Sequence, residues 1–246
     1  MTIAHIEQIL AEGRQRADAQ AARALPDLPE ELRAEHEKAV AFARSQEETV
    51  QQRLDADRPT LTMLVNATQD GKLPRETRMA WLRKLADRIN QLAQSLSACA
   101  TNHCSHCCYA PVSLSFLEAK LIGAAIGVEP KAPPAQTARH AASATPTPTP
   151  LRPKIGHGYA WPCPFLVEDA SLPSGKGGKC GIYEHRPMVC RSCLSMAASD
   201  KLCEPQPDHL VPLPLFDARV LHLLAAQIGG AEVADIRDFF PAGMAG

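Results

Sequence analysis

Two separated groups of cysteines constrain the fold of this chain more than any other feature. The first group is Cys99, Cys104, Cys107 and Cys108, and the second is Cys163, Cys180, Cys190 and Cys193, with Cys203 after it. The total of nine is odd, and the first residues lack the apolar run of an export signal. Thiols in a reducing compartment stay unpaired, so disulfides are not expected. We predict a cytoplasmic protein whose two cysteine groups converge and bind metal as thiolates.

Two Cys-x-x-Cys steps support metal binding, one at Cys104 and Cys107 and the other at Cys190 and Cys193. This spacing lets a tight turn direct two sulfurs at one ion, with backbone N–H groups left to donate to them. Gly181 follows Cys180 directly and removes the side chain that would crowd such a turn. Thiolate ligands suit zinc and iron–sulfur clusters alike.

The adjacent Cys107 and Cys108 bear on which metal is bound. Neighbouring residues seldom direct both sulfurs comfortably at one tetrahedral ion. A cluster, a second metal or a separate role for one of the pair removes that conflict. The pattern therefore favours an iron–sulfur cluster, with four irons as the preferred form, and leaves zinc as the alternative. Further candidate ligands and counter-charges near the cysteines are His103, His106, His157, His185, Arg186 and Arg191.

Residues 1–98 predict a helical region. Pro26 and Pro29 separate a first helix from a second, which extends to about Leu54. A longer helix begins near Pro74 and has large apolar residues at intervals of three and four. These residues are Met79, Leu82, Leu85, Ile89, Leu92 and Leu96. We interpret residues 1–98 as a helical bundle that serves as a scaffold or docks a protein partner.

The remaining chain predicts a cysteine domain at 99–203 and a C-terminal helical tail at 204–246. A proline-rich insert at 131–153 interrupts the domain, and its Thr-Pro repeats favour extended polyproline geometry. Within the domain a helix from Ser113 to Gly127 is expected, and Ser115 with Glu118 is typical of a capping box. In the tail, an apolar helix is expected over 217–228. The predicted fold class is mainly α, with an N-terminal helical bundle and a small, loop-rich, cysteine-ligated metal-binding domain.

Charge and motif content exclude several classes of function. Lys and Arg number 26 against 27 Asp and Glu, which gives a net charge of −1. Nucleic acids and acidic membranes usually demand a strong basic excess, so neither is expected as a partner. The sequence also lacks the roughly 20 consecutive apolar residues of a membrane span. A glycine-rich nucleotide loop after a predicted strand is missing as well.

The cysteine motifs resemble those of the YkgJ-type cysteine-cluster proteins, described as zinc- or iron-chelating. The resemblance covers about residues 99–195 and is carried by CSHCC, WPCPFL and CGIYEHRPMVCR. It implies metal ligation by Cys104, Cys107, Cys108, Cys163, Cys180 and Cys190. It also implies a signature frame of Tyr183, Arg186, Pro187 and Arg191. Cys193 departs from the pattern, because the family usually carries an aromatic residue at that position.

The leading hypothesis is a metal-binding protein that acts in electron transfer or in the modification or maturation of a partner. Some relatives, such as the flagellin lysine methylase, couple an iron–sulfur site to protein modification, which implies an oxidoreductase or protein-modifying enzyme role. A purely structural zinc module is the second hypothesis. A thiol redox enzyme using Cys190 and Cys193 or the vicinal pair is the third, because nucleophilic thiols need a depressed pKa and access.

Overall fold

A computed structural model of the full chain gives its fold. The structure describes residues 8, 15, 19, 21–93, 96–97, 105–132, 162–168, 178–204, 211–230 and 232–241. The chain is mainly helical, with a helical N-terminal part and a loop-rich C-terminal part, so the predicted fold class is confirmed. In the described residues, no helix combines the length and apolar character needed to cross a bilayer. Most of the proline-rich insert lies outside the described residues.

After a helical segment at residues 21–24, three long helices follow one another, and four shorter helices come later in the described chain. The long ones are α1 (Glu30–Ala56), α2 (Arg58–Gln69) and α3 (Arg75–Ala93). The shorter ones are α4 (Phe116–Ile126), α5 (Met188–Arg191), α6 (Arg219–Gly229) and α7 (Ile236–Phe239). Short 3-10 turns occur at Leu25–Asp27, His106–Tyr109, Tyr183–His185 and Lys201–Cys203. The predicted bounds of α1 and the predicted start of α3 agree with these to within about two residues, but the stripe predicted for α3 extends to Leu96, beyond the helix end at Ala93.

Three two-stranded antiparallel ladders connect distant parts of the chain. The strands are β1 (Ser113–Ser115), β2 (Leu166–Glu168), β3 (Gly178–Cys180), β4 (Cys193–Ser195), β5 (Leu215–Asp217) and β6 (Val233–Asp235). The ladders pair β1 with β6, β2 with β3, and β4 with β5. Leu166 lies opposite Cys180, and Ser113 lies opposite Asp235. The pairing of β2 with β3 brings Cys180 close to the loop of Cys163. The pairing of β1 with β6 places Val233–Asp235 beside the first cysteine group.

One apolar core joins α2, α3 and α6 and also includes Met188. Leu82 and Leu221 are at most 1% exposed within it. The apolar stripe predicted on α3 therefore packs against a helix from the far end of the chain. A second core surrounds the cysteines and is built from β1, α4, β6 and α7. Because apolar cores stabilise the fold by removing surface from water, the N-terminal helices and the cysteine region support one another.

Two details around α4 correct the sequence prediction. The helix begins at Phe116, because Ser113–Ser115 pair with β6 as a strand. Ser115 caps the helix by accepting from the Glu118 N–H, and Gly127 ends it with a φ of 74°. The Glu118 carboxylate does not complete a capping box. It accepts instead from the Met188 N–H at 2.6 Å, which links α4 to the segment that carries Cys190.

Candidate metal centre

Five cysteine side chains from three stretches of chain line one cavity. They are Cys107, Cys108, Cys163, Cys180 and Cys190. The rest of the lining is Val112, Ile182, Arg186, Pro187 and Ile236. The volume is about 30 Å³, which is similar to the space of one water molecule and therefore enough for a single ion. Convergence of the two cysteine groups, predicted from the sequence, is thus observed for five of the nine.

The first cysteine loop is a single 3-10 turn. The Cys108 N–H donates to the Ser105 carbonyl at 2.9 Å, and the Ala110 N–H donates to the Cys107 carbonyl at 3.1 Å. This turn leaves Cys107 exposed and Cys108 half-buried. The Cys163 N–H donates to the Cys108 carbonyl at 2.7 Å. The two cysteine groups are therefore joined directly by a backbone hydrogen bond, although the proline-rich insert separates them in sequence.

Cys163 and Cys180 lie at the same end of the β2–β3 ladder, where Leu166 is opposite Cys180. Cys163 precedes β2 in a turn closed by the Leu166 N–H, which donates to the Cys163 carbonyl at 3.0 Å. Cys180 ends β3, and the following Gly181 N–H donates to the Phe165 carbonyl at 2.8 Å. Backbone N–H groups two residues further along also donate to both thiols, from Phe165 and from Ile182. Such donors stabilise a sulfur in its thiolate form.

Cys190 comes from the single turn of α5. Pro187 precedes this helix, and the Cys190 N–H donates to its carbonyl at 3.0 Å. The neighbouring Arg186 lines the cavity and stacks on Tyr183, with its guanidinium carbon 4.0 Å from the ring centroid. Burial raises the pKa of both Cys180 and Cys190, and the positive charge of Arg186 opposes that rise. The expected counter-charge role of Arg186 has a geometric basis here.

Burial and mutual proximity hold these thiols in their neutral form. A hydrogen bond with Cys107 and then burial raise the pKa of Cys108 well above its usual range. Burial raises the pKa of Cys163 to about 11. For Cys190, burial and the charges of neighbouring cysteines raise the pKa well above its ordinary value. The thiols cannot all ionise together without a cation among them, because burial and like charge both disfavour the thiolates.

Comparison with known families bears on the same segment. Residues 98–206 match the family model CxxCxxCC, described as a "Putative zinc- or iron-chelating domain". This segment is similar to the cysteine-cluster domains of that family, and we call it the cysteine-cluster domain. The resemblance predicted from the motifs is thereby confirmed, and metal binding by the cysteines is supported with zinc and iron both named. The match covers less than half of the chain, and no curated protein or solved structure gives a significant match.

The donors of the cysteine-cluster domain fit a thiophilic metal, but they need adjustment to hold one. Among the described residues, no three His, Cys, Asp or Glu side chains are arranged to hold an ion as they stand. The five sulfurs nevertheless line one cavity, and rotation about the Cα–Cβ bond redirects a cysteine sulfur at low energetic cost. All-thiolate donor sets select zinc, iron–sulfur clusters or other soft ions over magnesium and calcium.

Metal binding to the cysteine-cluster domain is expected to release protons at neutral pH. The thiols of the metal-free protein are protonated at pH 7, because burial raises the pKa of Cys163 to about 11 and raises the pKa of Cys190 well above its ordinary value. Each coordinating sulfur must lose its proton, so a four-thiolate site should release about four protons and bind more tightly as pH rises. Titration calorimetry in two buffers of different ionisation enthalpy measures this number. Binding without proton release would contradict it.

Several candidate residues are not brought to the cavity. Cys203 lies in the Lys201–Cys203 turn and does not line it. His106 is buried with its Nε2 atom 3.4 Å from the Asp200 carboxylate. The backbone of Cys193 lies in β4, opposite Asp217, and its side chain is outside the described residues. Cys99, Cys104, His103 and His157 also lie outside them, so their predicted ligation stays a prediction.

Arg191 acts on the site from a distance. Its guanidinium is 3% exposed, forms an ion pair with Asp87 of α3 and donates to the Glu184 and Arg186 carbonyls. It therefore fastens the loop around Cys190 to the helical region. The expected role of Arg191 as a counter-charge is secondary to this anchoring.

Sequence reasoning missed the C-terminal contribution to the cysteine-cluster domain. Ile236 lines the cavity, and the buried pair Asp235 and Arg237 lies beside the first cysteine loop. The Asp-x-x-Asp spacing of Asp235 and Asp238 could have indicated the start of a helix, because these residues form a capping box at the start of α7. A pair of phenylalanines, 239 and 240, in a chain with few aromatic residues was a further signal of burial.

Proposed function

We propose that this is an iron–sulfur protein that transfers electrons to a protein partner. Its ligands would be drawn from Cys99, Cys104, Cys107, Cys108, Cys163, Cys180, Cys190 and Cys193. The observation that carries the proposal is the convergence of five thiols on one cavity. A tetrahedral ion uses four ligands, and adjacent Cys107 and Cys108 are poorly suited to sharing it. A surplus of thiols with a vicinal pair favours a cluster of several metals.

The surrounding residues suit redox chemistry. When bound, an iron–sulfur cluster takes up and passes on electrons, at a potential set by charge, solvent exposure and hydrogen bonds to sulfur. The backbone N–H groups of Phe165 and Ile182 already donate to the thiols of Cys163 and Cys180. Arg186 supplies positive charge at the cavity. Val112, Ile182 and Ile236 exclude water from its other walls.

The helical region is the proposed partner-docking part of the molecule. Helix α1 has 27 residues, of which three are buried, so most of its surface remains available to another protein. Modification or maturation of that partner is the specific outcome that the resemblance implies. The cytoplasm is the proposed compartment, because the site requires reduced thiols.

A structural zinc module is the second candidate. The cavity volume of about 30 Å³ favours it, because a space of that size suits a single ion better than a cluster of several metals. In this reading the metal would stabilise the loops around Cys163 and Cys180, as structural zinc does in small domains. The helices would then serve as an interaction scaffold.

Anaerobic purification of the full chain distinguishes the two candidates. The iron–sulfur proposal predicts a brown protein that contains iron and acid-labile sulfide and is bleached by dithionite. Elemental analysis, sulfide determination and an absorption spectrum measure these properties. A colourless protein that holds stoichiometric zinc, and gains no colour on reconstitution with iron and sulfide, would refute the electron-transfer proposal.

A further inference from the structure

The last described segment of the chain belongs physically to the metal centre, although it lies beyond the family match at 98–206. Strand β6 pairs with β1 directly after the first cysteine loop. The Ile236 N–H donates to the Val112 carbonyl at 2.9 Å, and both side chains line the thiol cavity. Phe165 and Phe240 pack in a T-shaped arrangement with their ring centroids 5.1 Å apart, which fixes the same segment against the Cys163 loop.

Arg237 contacts the backbone of both cysteine loops. Its Nη2 atom donates to the Cys108 carbonyl at 3.1 Å, and its Nε atom donates to the Pro162 carbonyl at 3.3 Å. The Ala110 carbonyl accepts from the same guanidinium at 3.4 Å and 3.5 Å. Only 8% of the residue is exposed. The Arg237 guanidinium therefore joins the Pro162 carbonyl, directly before Cys163, to the Cys108 carbonyl.

Asp235 holds the guanidinium in that orientation. Its carboxylate accepts from Arg237 Nη1 at 2.9 Å and from the Arg237 backbone N–H at 2.9 Å. The other oxygen accepts from the Val112 N–H at 2.8 Å. Asp235 is 6% exposed, so the charge of Arg237 is balanced where it is buried. Breaking such a pair leaves an uncompensated charge, whereas the intact pair adds little stability of its own.

We infer that Arg237 is a positioning residue of the metal centre, whose guanidinium holds the Cys108 and Cys163 loops together before metal arrives. This inference rests on the proposed metal-binding function. The two loops are separated by a long insert, so without the clamp metal binding would have to close that loop against its entropy. A loop fixed beforehand binds more tightly because that ordering cost is already met.

The role of Arg237 is geometric more than electrostatic. Arg237 lowers the pKa of Cys163 while Asp235 raises it, so their charges oppose each other at that sulfur. The remaining contribution of Arg237 is its planar guanidinium with five N–H donors, which binds three carbonyls at once. A lysine ammonium cannot reproduce that arrangement. The conservative substitution Arg237→Lys therefore separates the two roles.

The test loads the full chain with Co²⁺, which reports thiolate coordination by its charge-transfer absorption, and follows transfer of the metal to a chelator. For Arg237→Lys and Arg237→Gln we expect affinity to fall about 10- to 100-fold, the effect of removing an outer partner of a metal ligand, together with an altered charge-transfer band. Arg88→Gln is the matched control, because Arg88 makes two 2.7 Å hydrogen bonds to Asp57 in the helical region.

The outcomes separate the inference from the function on which it rests. Wild-type affinity and spectrum in Arg237→Lys would overturn the positioning role and leave metal binding intact. A wild-type chain that shows no thiolate charge-transfer band with Co²⁺ and forms no coloured cluster with iron and sulfide would overturn the proposed function as well. If both Arg237 variants fail to fold while Arg88→Gln folds, Arg237 serves the fold in general, and its role in the metal centre is overturned.

Discussion

Substitution of Cys163 by serine is expected to abolish stable metal binding and to destabilise the cysteine-cluster domain. Cys163 is 9% exposed, and its backbone connects directly to the Cys108 carbonyl. A hydroxyl is a poor ligand for a soft metal, so the variant should lose one ligand and most of its affinity. Because metal binding is coupled to folding in small metal domains, the loss should also lower the free energy of unfolding by several kcal/mol.

The measurements are metal content per chain after dialysis against a chelator and urea unfolding of the loaded protein. Cys203→Ser is the matched control, because Cys203 lies in the described chain but away from the cavity. That variant should keep wild-type metal content. Equal metal content in Cys163→Ser and the wild type would contradict the ligand assignment and with it the proposed function.

Periodicity predicted the helices well because their signals are local. The apolar stripe of α3 at Met79, Leu82 and Leu85 is fully buried, as spacing of three and four residues indicates. What the stripe packs against was beyond local reasoning. Its partner is α6, whose Leu221 and Leu224 lie in the same core. Pairing of helices so distant in sequence depends on tertiary contacts that periodicity does not encode.

The cysteine loops were predicted from motif spacing and resemblance, whereas their supports were not. Strands β1 and β6 have three residues each, too few to show an alternating pattern. Arg237 reads in sequence as an ordinary surface charge, and its burial follows only from the pairing of β6 with β1. Side chains such as Arg237, which contact the cysteine loops without lining the cavity, were therefore not predicted, because their positions depend on the pairing of strands that are distant in sequence.

Glu118 shows the same limit within a single helix. Its spacing from Ser115 is that of a capping box, and the backbone half of that motif is present. The carboxylate is 1% exposed and faces Met188 and the arginines Arg83 and Arg191. Burial raises the pKa of this carboxyl, and the two arginines act against that rise. The residue is thus a buried link between α4, α3 and the Cys190 segment.

Glu118→Ala is therefore expected to be strongly destabilising. It removes the acceptor of the Met188 N–H and the carboxylate near Arg83, whose Nε and Nη2 atoms are buried without a hydrogen-bond partner among the described residues. Removing one member of a buried charge network costs about 3–5 kcal/mol. Urea unfolding of the metal-free protein measures this loss in the free energy of unfolding. Because Met188 opens the helix that carries Cys190, the loaded protein should also release metal faster.

Two further variants locate the origin of that loss. Glu118→Gln keeps an acceptor for the Met188 N–H and removes the charge, so the difference between its stability and that of Glu118→Ala measures the hydrogen bond together with the packing of the buried side chain. Glu76→Ala, in the exposed first turn of α3, should change the free energy of unfolding by less than about 0.5 kcal/mol. If Glu118→Ala were as stable as Glu76→Ala, the contacts of Glu118 with Met188, Arg83 and Arg191 would contribute nothing to the free energy of unfolding. The N-terminal helices would then hold the Cys190 loop through apolar contacts and the Arg191–Asp87 pair alone.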